Sequence, residues 1–236
     1  MKLIPRGAGR SRKFWRFLSF LIVTGILTLV ISSTIDRIFK IKVIKVIGVG
    51  VEMQVERSRL PQNLLFFPTR QIENEIKKHQ PLVETVIIRK KYPQTLEIEV
   101  KRRFAIARLK TSRGELQLDK DGVVMGDEQR LSSDLPILFF PQEGEFKTGT
   151  VVSDQSVRQA LKFVELTQGF LQTFEISKLD DKSLRSRSEK TEIFFPQQGD
   201  LHELASTLQT LTTGFRIKGT LPKLMDLRFE KPIVTF

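Results

Sequence analysis

Cysteine is absent from this chain, and histidine occurs only twice. Without thiols there is no disulfide framework, no thiolate-ligated zinc or iron–sulfur site and no cysteine nucleophile. Two histidines leave little room for a histidine-rich metal centre. Also missing are the phosphate-binding P-loop, the G-x-G-x-x-G fingerprint, the H-E-x-x-H zinc motif and the local patterns of hydrolytic nucleophiles. What remains is globular: 236 residues, 40% hydrophobic and 28% charged, enough for one or two small domains.

The formal net charge is +12, and its distribution matters more than its sum. Lys2, Arg6, Arg10, Arg12, Lys13 and Arg16 open the chain with no acid among them. Residues 111–236 hold 16 bases and 19 acids, so the basic excess lies at the front. Between Arg16 and Asp36 run 19 uncharged residues, FLSFLIVTGILTLVISSTI. As a helix they reach roughly 28 Å, the thickness of a bilayer's hydrocarbon core. Their Ser and Thr hydroxyls can bond back to the helix backbone, and Phe14 and Trp15 sit where interfacial aromatics belong. A cleaved signal peptide is the alternative, but the run is long for one and no A-x-A-like site follows. The expectation is a basic stub (1–16) and a transmembrane helix (17–35). Six bases precede the span; Arg37, Lys40, Lys42 and Lys45 follow it. That bias predicts a cytoplasmic N-terminus and an extracytoplasmic bulk.

Beyond the span, residues 38–47 read as a strand emerging from the membrane, ended by Gly48 and Gly50. A short or irregular helix is expected in 51–60. Thr69 can cap a helix in which Ile72 and Ile76 share a face, ending near His79. Strands follow at Val83–Arg89 and Thr95–Val100, joined by a turn at Lys90–Gln94. In the second, Leu96, Ile98 and Val100 face one side, Glu97 and Glu99 the other. A small sheet with helices on one face, over 38–103, would bury both stripes.

From Phe104 the pattern changes to short strands at Phe104–Leu109, Glu115–Leu118 and Val123–Met125. Asp119-Lys120-Asp121-Gly122 reads as a hairpin turn. It is not a calcium loop, because Gly122 comes too early and no Glu completes the spacing. Ser153 or Asp154 caps a helix carrying Val157, Leu161 and Val164, stopped at Gly169. Strands are expected at Phe174–Leu179, Ser183–Ser188 and Thr191–Phe195, then a helix Leu201–Thr212 ending at Gly214. Leu224–Phe229 and Ile233–Phe236 close the chain as strands. Residues 104–236 thus form a second domain, dominated by antiparallel sheet with two helices, and the fold class is α+β.

No catalytic constellation, cofactor site or metal site stands out. His79 lies at a helix end beside Lys77 and Lys78, His202 follows a cap region, and Asp180-Asp181 sits in a turn. The clusters Arg89-Lys90-Lys91 and Lys101-Arg102-Arg103 have only Tyr92 nearby for base stacking. Attraction to anionic lipid or to a protein partner fits them better than nucleic acid.

The order of these signals resembles the FtsQ/DivIB family of bacterial cell-division proteins. The resemblance rests on the basic stub, the single span, FKIKVIKVIG directly after it, and NLLFF before the Ile72 helix. It continues through PLVETVIIRKKYPQTLEIEVKRRFAIARL, similar to the end of a POTRA (polypeptide-transport-associated) domain, then GELQLDKDGVVM, LPIL and MDLRFEKPIV. Lys101-Arg102-Arg103-Phe104 departs from the family's usual E-R-x-P, and the stretch between Gly48 and Asn63 is short. The resemblance implies a non-catalytic divisome scaffold that binds FtsB-, FtsL- or DivIC-like single-span partners and organises septal cell-wall synthesis. It also implies that the last strands form an edge to which a partner adds a strand. Carried over by position, the partner-binding residues are Asp226, Leu227, Arg228 and Phe229, with Ile233 and Val234 on the following strand. Arg228 would meet an acidic partner residue, and Phe229 would be an apolar anchor. The rival readings are another membrane-anchored POTRA-type extracytoplasmic protein and an anchored enzyme with an unrecognised site. An outer-membrane insertase would need a long β-barrel after residue 110.

Overall fold

The computed structural model describes residues 9–48, 60–112, 114–126, 134–141, 146–173 and 175–236. The chain divides into two compact units, residues 1–102 and 103–236. The helix expected in 51–60 lies, apart from Leu60, outside the described residues, as do Gly50, Phe174 and the start of the basic stub.

The first unit begins with α1 (Gly9–Ile38), of which Phe14–Ile38 is long and apolar enough to cross a membrane and has none of its apolar stretch buried. Its hydroxyls are satisfied within the helix. Ser19 donates to the Trp15 carbonyl at 2.8 Å, Thr24 to Phe20 at 2.6 Å and Thr34 to Val30 at 2.8 Å. The helix claims Ile38, where a strand was expected to start, because the Phe39 amide still donates to Ile35 at 2.9 Å. The strand β1 therefore spans Val43–Gly48.

Then come α2 (Thr69–His79), β2 (Val83–Lys91) and β3 (Thr95–Arg102). The sheet order is β1-β3-β2, with β1 parallel and β2 antiparallel to the central β3. Thr69 is the first helical residue of α2 and not its cap; Pro68 holds that position without a side-chain bond. One face of the sheet packs Leu96, Ile98 and Val100 against Ile72 of α2 and the buried Leu64 and Phe67. Glu97, on the opposite face, is buried too, because strands flank β3 on both sides and Lys91 lies over the carboxylate. That hydrogen bond holds the Glu97 carboxyl below its usual range, with the charges of Arg89 and Lys45 adding to the effect.

The second unit contains β4 (Ala107–Thr111), β5 (Gly114–Leu118), β6 (Val124–Met125) and β7 (Ile137–Phe139), then α3 (Gln155–Thr167) and β8 (Glu175–Lys178). It continues with β9 (Ser183–Ser188), β10 (Thr191–Pro196), α4 (Leu201–Lys218), β11 (Leu224–Asp226) and β12 (Ile233–Thr235). All nine strands join one sheet in the order β12-β11-β10-β9-β8-β7-β4-β5-β6. Most junctions are antiparallel; β4–β7, β7–β8 and β10–β11 are parallel. Helices α3 and α4 pack together, and Phe163 of α3 stacks on Phe195 of β10 with ring centroids 4.2 Å apart.

Boundaries in the second unit also differ from the sequence reading. Phe104 is exposed and lies outside the strand, which runs from Ala107 to Thr111. Helix α3 is capped by Asp154, which accepts from the Val157 amide, and ends at Thr167 before Gly169 is reached. Helix α4 passes straight through Gly214 and stops at Gly219, whose φ of 69° suits glycine. Leu211 and Phe215 continue the apolar stripe onto the core, outweighing the loss of about 1 kcal/mol from an interior glycine.

Candidate partner-binding edge

A nine-stranded open sheet has two edges, and this chain treats them differently. At β6 the edge is closed by the chain itself. The Val124 amide donates to Thr150 and the Gly149 amide to Val124, both at 2.8 Å, while Val123 bridges Val151. The hairpin before β6 is fixed by Asp119, a nearly fully buried carboxylate that accepts from the amides of Asp121 at 3.0 Å and Val123 at 2.7 Å. Arg103 pairs with both Asp119 and Asp121. Burial alone would lower the Arg103 pKa, but these hydrogen bonds outweigh it and hold the guanidinium above its ordinary value.

At the other edge, β12 pairs with β11 alone, and among the described residues no backbone lies on its outer side. Strand β11 is short because the chain leaves β10 after Asp226, while β10 itself runs on to Pro196. It pairs with β10 through Asp226, and the Leu227 amide makes one last bond, 2.8 Å, to the Phe194 carbonyl. The chain then turns through residues 227–232 and returns as β12. The strand expected over Leu224–Phe229 is thus cut to three residues. Leu227 is 7% exposed and packs in the core, whereas Phe229 is 56% exposed.

The turn is organised by Arg228. Its guanidinium donates to Asp226 through Nε at 2.8 Å and Nη2 at 2.6 Å, and its amide donates to the same carboxylate at 3.1 Å. Asp180 lies 3.6 Å away, and the rings of Phe194 and Phe229 stand 5.5 and 5.6 Å from the guanidinium. The hydrogen bonds from Arg228 depress the Asp226 carboxyl and, reciprocally, raise Arg228. The sequence reading assigned Arg228 to an acidic residue of a partner, whereas here its charge meets Asp226 of the same chain. The two-residue spacing, which puts both side chains on one face of an extended chain, was the available signal.

Of the six expected residues, Asp226 and Leu227 are buried, Arg228 and Val234 are partly buried, and Phe229 and Ile233 are exposed. Phe236 is exposed too and touches Phe215 of α4 edge-to-face at 5.5 Å. Beside this edge lies an open cleft of about 210 Å³, floored by Leu204, Leu227 and Phe229 and rimmed by Asp200, Glu203 and Glu230. Asp200, Glu203 and Leu204 were missed by the sequence reading. They stand at the cap and first turn of α4, more than twenty residues before the turn, and no local pattern links the two segments.

The basic clusters of the first unit are largely spent within it. Arg89 pairs with Glu99 at 2.7 Å, Lys91 with Glu97, and Lys101 with Glu84 at 3.0 Å. His79 ends α2 with Nδ1 3.1 Å from the Glu75 carbonyl, and the His202 amide donates to Asp200 in the first turn of α4. Among the described residues no group of three or more His, Asp or Glu side chains could hold a metal ion.

A search of curated proteins returned no match to the chain. Residues 52–103 match the family model described as "POTRA domain, FtsQ-type". That span takes in α2 and the strands β2 and β3. The protein therefore carries a POTRA domain of the FtsQ type, the domain through which its sequence resembles the FtsQ/DivIB family.

Proposed function

We propose that this protein is a membrane-anchored, non-catalytic scaffold of bacterial cell division that captures a single-span partner by strand addition at β12. Helix α1 is the anchor, with its N-terminus in the cytoplasm as the charge bias around it favours. The partner is of the FtsB, FtsL or DivIC kind, and the site of action is the septum. The observation that carries the reading is the asymmetry of the large sheet. One edge is covered by the chain's own residues 149–152, while β12 has, among the described residues, no strand paired along its outer side.

A three-residue strand offers few ladder bonds, each worth about 0.5–1.5 kcal/mol net. Burying an apolar side chain contributes about 1.5–3 kcal/mol, so Phe229 and Ile233 would supply more than the backbone does. Asp226 and Leu227 hold the turn from beneath, Arg228 shapes it, and Val234 ties β12 to the core.

The test is a pull-down of the full chain, in detergent micelles, with the extracytoplasmic part of an FtsB-like partner. Phe229→Ala with Ile233→Ala should weaken capture about tenfold or more. Capture at wild-type strength by the folded double variant would overturn the placement. A fluorescent fusion that distributes evenly around the cell, without septal enrichment, would overturn the division role.

A further inference from the structure

Four residues separate the end of α1 from β1, and the small sheet is tied to the helix end by more than the chain. Asn63 Nδ2 donates to Asp36 at 2.6 Å, and Gln94 in the β2–β3 turn donates to the Ile38 carbonyl at 3.2 Å. The Leu64 amide bonds Phe39 at 2.8 Å, and Tyr92 packs edge-to-face on Phe39 with centroids 5.9 Å apart. The Lys90 ammonium donates to the Leu65 carbonyl at 3.0 Å, joining the β2–β3 turn to the loop before α2. Two loops are thereby gathered around the point where α1 ends.

That gathering brings exposed aromatic and cationic groups to one place. Phe66 is 70% exposed, three residues from the Asn63 that holds Asp36, and Tyr92 is 56% exposed. Arg37, Lys40 and Lys45 are exposed at the helix end and on β1. Aromatic rings beside cations at the end of an apolar helix suit the headgroup layer of a bilayer.

The geometry points to a membrane seat: the end of the small sheet formed by the 61–68 loop and the β2–β3 turn docks on an anionic bilayer surface. In this seat Phe66 and Tyr92 enter the headgroup layer while Arg37, Lys40 and Lys45 meet lipid phosphates. The seat rests on the reading of α1 as a membrane anchor. It adds that the POTRA domain is held upright by the bilayer and does not swing on a linker. The occupant follows from continuity with α1 and from charge. A free polypeptide partner would not require aromatics and cations to ring a spanning helix.

The absence of native cysteine makes single-cysteine labelling of the full chain direct. Ile26→Cys reports on the span, and Phe66→Cys and Tyr92→Cys on the seat. Lys78→Cys, at the far end of α2 and about 14 Å along the helix from Thr69, is the control. Each fluorophore-labelled protein is reconstituted in bilayers of phosphatidylglycerol and phosphatidylcholine carrying nitroxides at acyl or headgroup depth. Headgroup nitroxides should quench the labels at 66 and 92, leave 78 untouched, and quench less in phosphatidylcholine alone. Lys40→Gln and Lys45→Gln should each lower the docked-to-undocked ratio about fivefold. Acyl-chain quenching at 26, with labels at 66 and 92 no more quenched than at 78, overturns the seat and leaves the anchor standing. Absence of acyl-chain quenching at 26 overturns the anchor and the seat with it. Because Tyr92 also packs on Phe39, the label at 66, on a side chain 70% exposed, decides between these outcomes if Tyr92→Cys misfolds.

Discussion

Arg228 folds its guanidinium back onto Asp226, two residues earlier, so the turn that delivers β12 to the sheet edge is closed by a charged clasp. Asp226 is 6% exposed and accepts three hydrogen bonds from this one residue. Removing the carboxylate leaves a partly buried guanidinium whose remaining carboxylate, among the described residues, is the more distant Asp180. Asp226→Ala should therefore cost about 1.5–3 kcal/mol of stability, in the range of hydrogen bonds to charged groups. Arg228→Ala should cost a similar amount, because it leaves the buried Asp226 carboxylate without its two side-chain donors. The double variant should cost less than the sum of the two, and chemical denaturation of all three chains reads this coupling.

The same clasp makes stability depend on pH in a definite direction. The folded-state pKa of Asp226 is depressed below the ordinary value of 3.8, mainly by the Arg228 side chain. The stabilisation is complete above the unfolded-state pKa and is lost as pH falls through the folded one. Asp180 is shifted the same way by the Lys182 amide, and Asp181 by Lys178. The melting temperature should hold steady above the carboxylate range and fall below about pH 4. Asp226→Asn, which cannot titrate, should melt lower near neutrality and show a shallower acid slope. An unchanged slope would mean that Asp226 is not a contributor.

At the opposite edge Asp119 carries the closure. It accepts two backbone amides of the β5–β6 turn and pairs with Arg103 in a partly buried site. Asp119→Ala strands both amides and leaves a guanidinium with one exposed partner, Asp121, so a loss of about 3–5 kcal/mol is expected. Asp119→Asn keeps an acceptor for the turn amides and should cost clearly less. Hydrogen exchange at Val123 and Val124 would report whether the edge opens. Equal losses in the two variants would assign the whole effect to charge.

Local periodicity was legible where one element buried one stripe. The Ile72/Ile76 face set α2, and the Leu96, Ile98, Val100 alternation set β3. The Asp119–Gly122 turn was legible because side-chain acceptor and glycine, with φ +77°, occur together. Helix ends were harder. Gly214 reads as a stop, yet Phe215 beyond it has core to pack against, and only the tertiary structure supplies that fact. The candidate edge was legible as a strand pair but not as a surface. Which strand is outermost depends on pairing partners remote in sequence, such as Glu192 with Leu224. The burial of Leu227 beside an exposed Phe229 goes with the chain leaving β10 after the Leu227 amide bonds the Phe194 carbonyl, which alternation within 224–229 could not reveal.

Gly48 ends β1 opposite Val100 of the central strand, and its backbone comes so close that a Cβ would lie 2.5 Å from the Val100 carbonyl oxygen. That oxygen belongs to the backbone of β3 and cannot swing aside as a side-chain tip could. An added methyl must push β1 off its parallel partner or twist its end away. Gly48→Ala should destabilise the first unit by about 1–3 kcal/mol, the range for forced overpacking. Gly25 in α1 is the matched control, since a Cβ there meets nothing within 4 Å. Gly25→Ala should leave melting of the first unit unchanged, and faster amide exchange at Val46 and Ile47 in Gly48→Ala alone would locate the loss at the β1–β3 junction. If exchange in β1 were the same in both variants, the close approach at Gly48 would not be what holds the strand to the sheet.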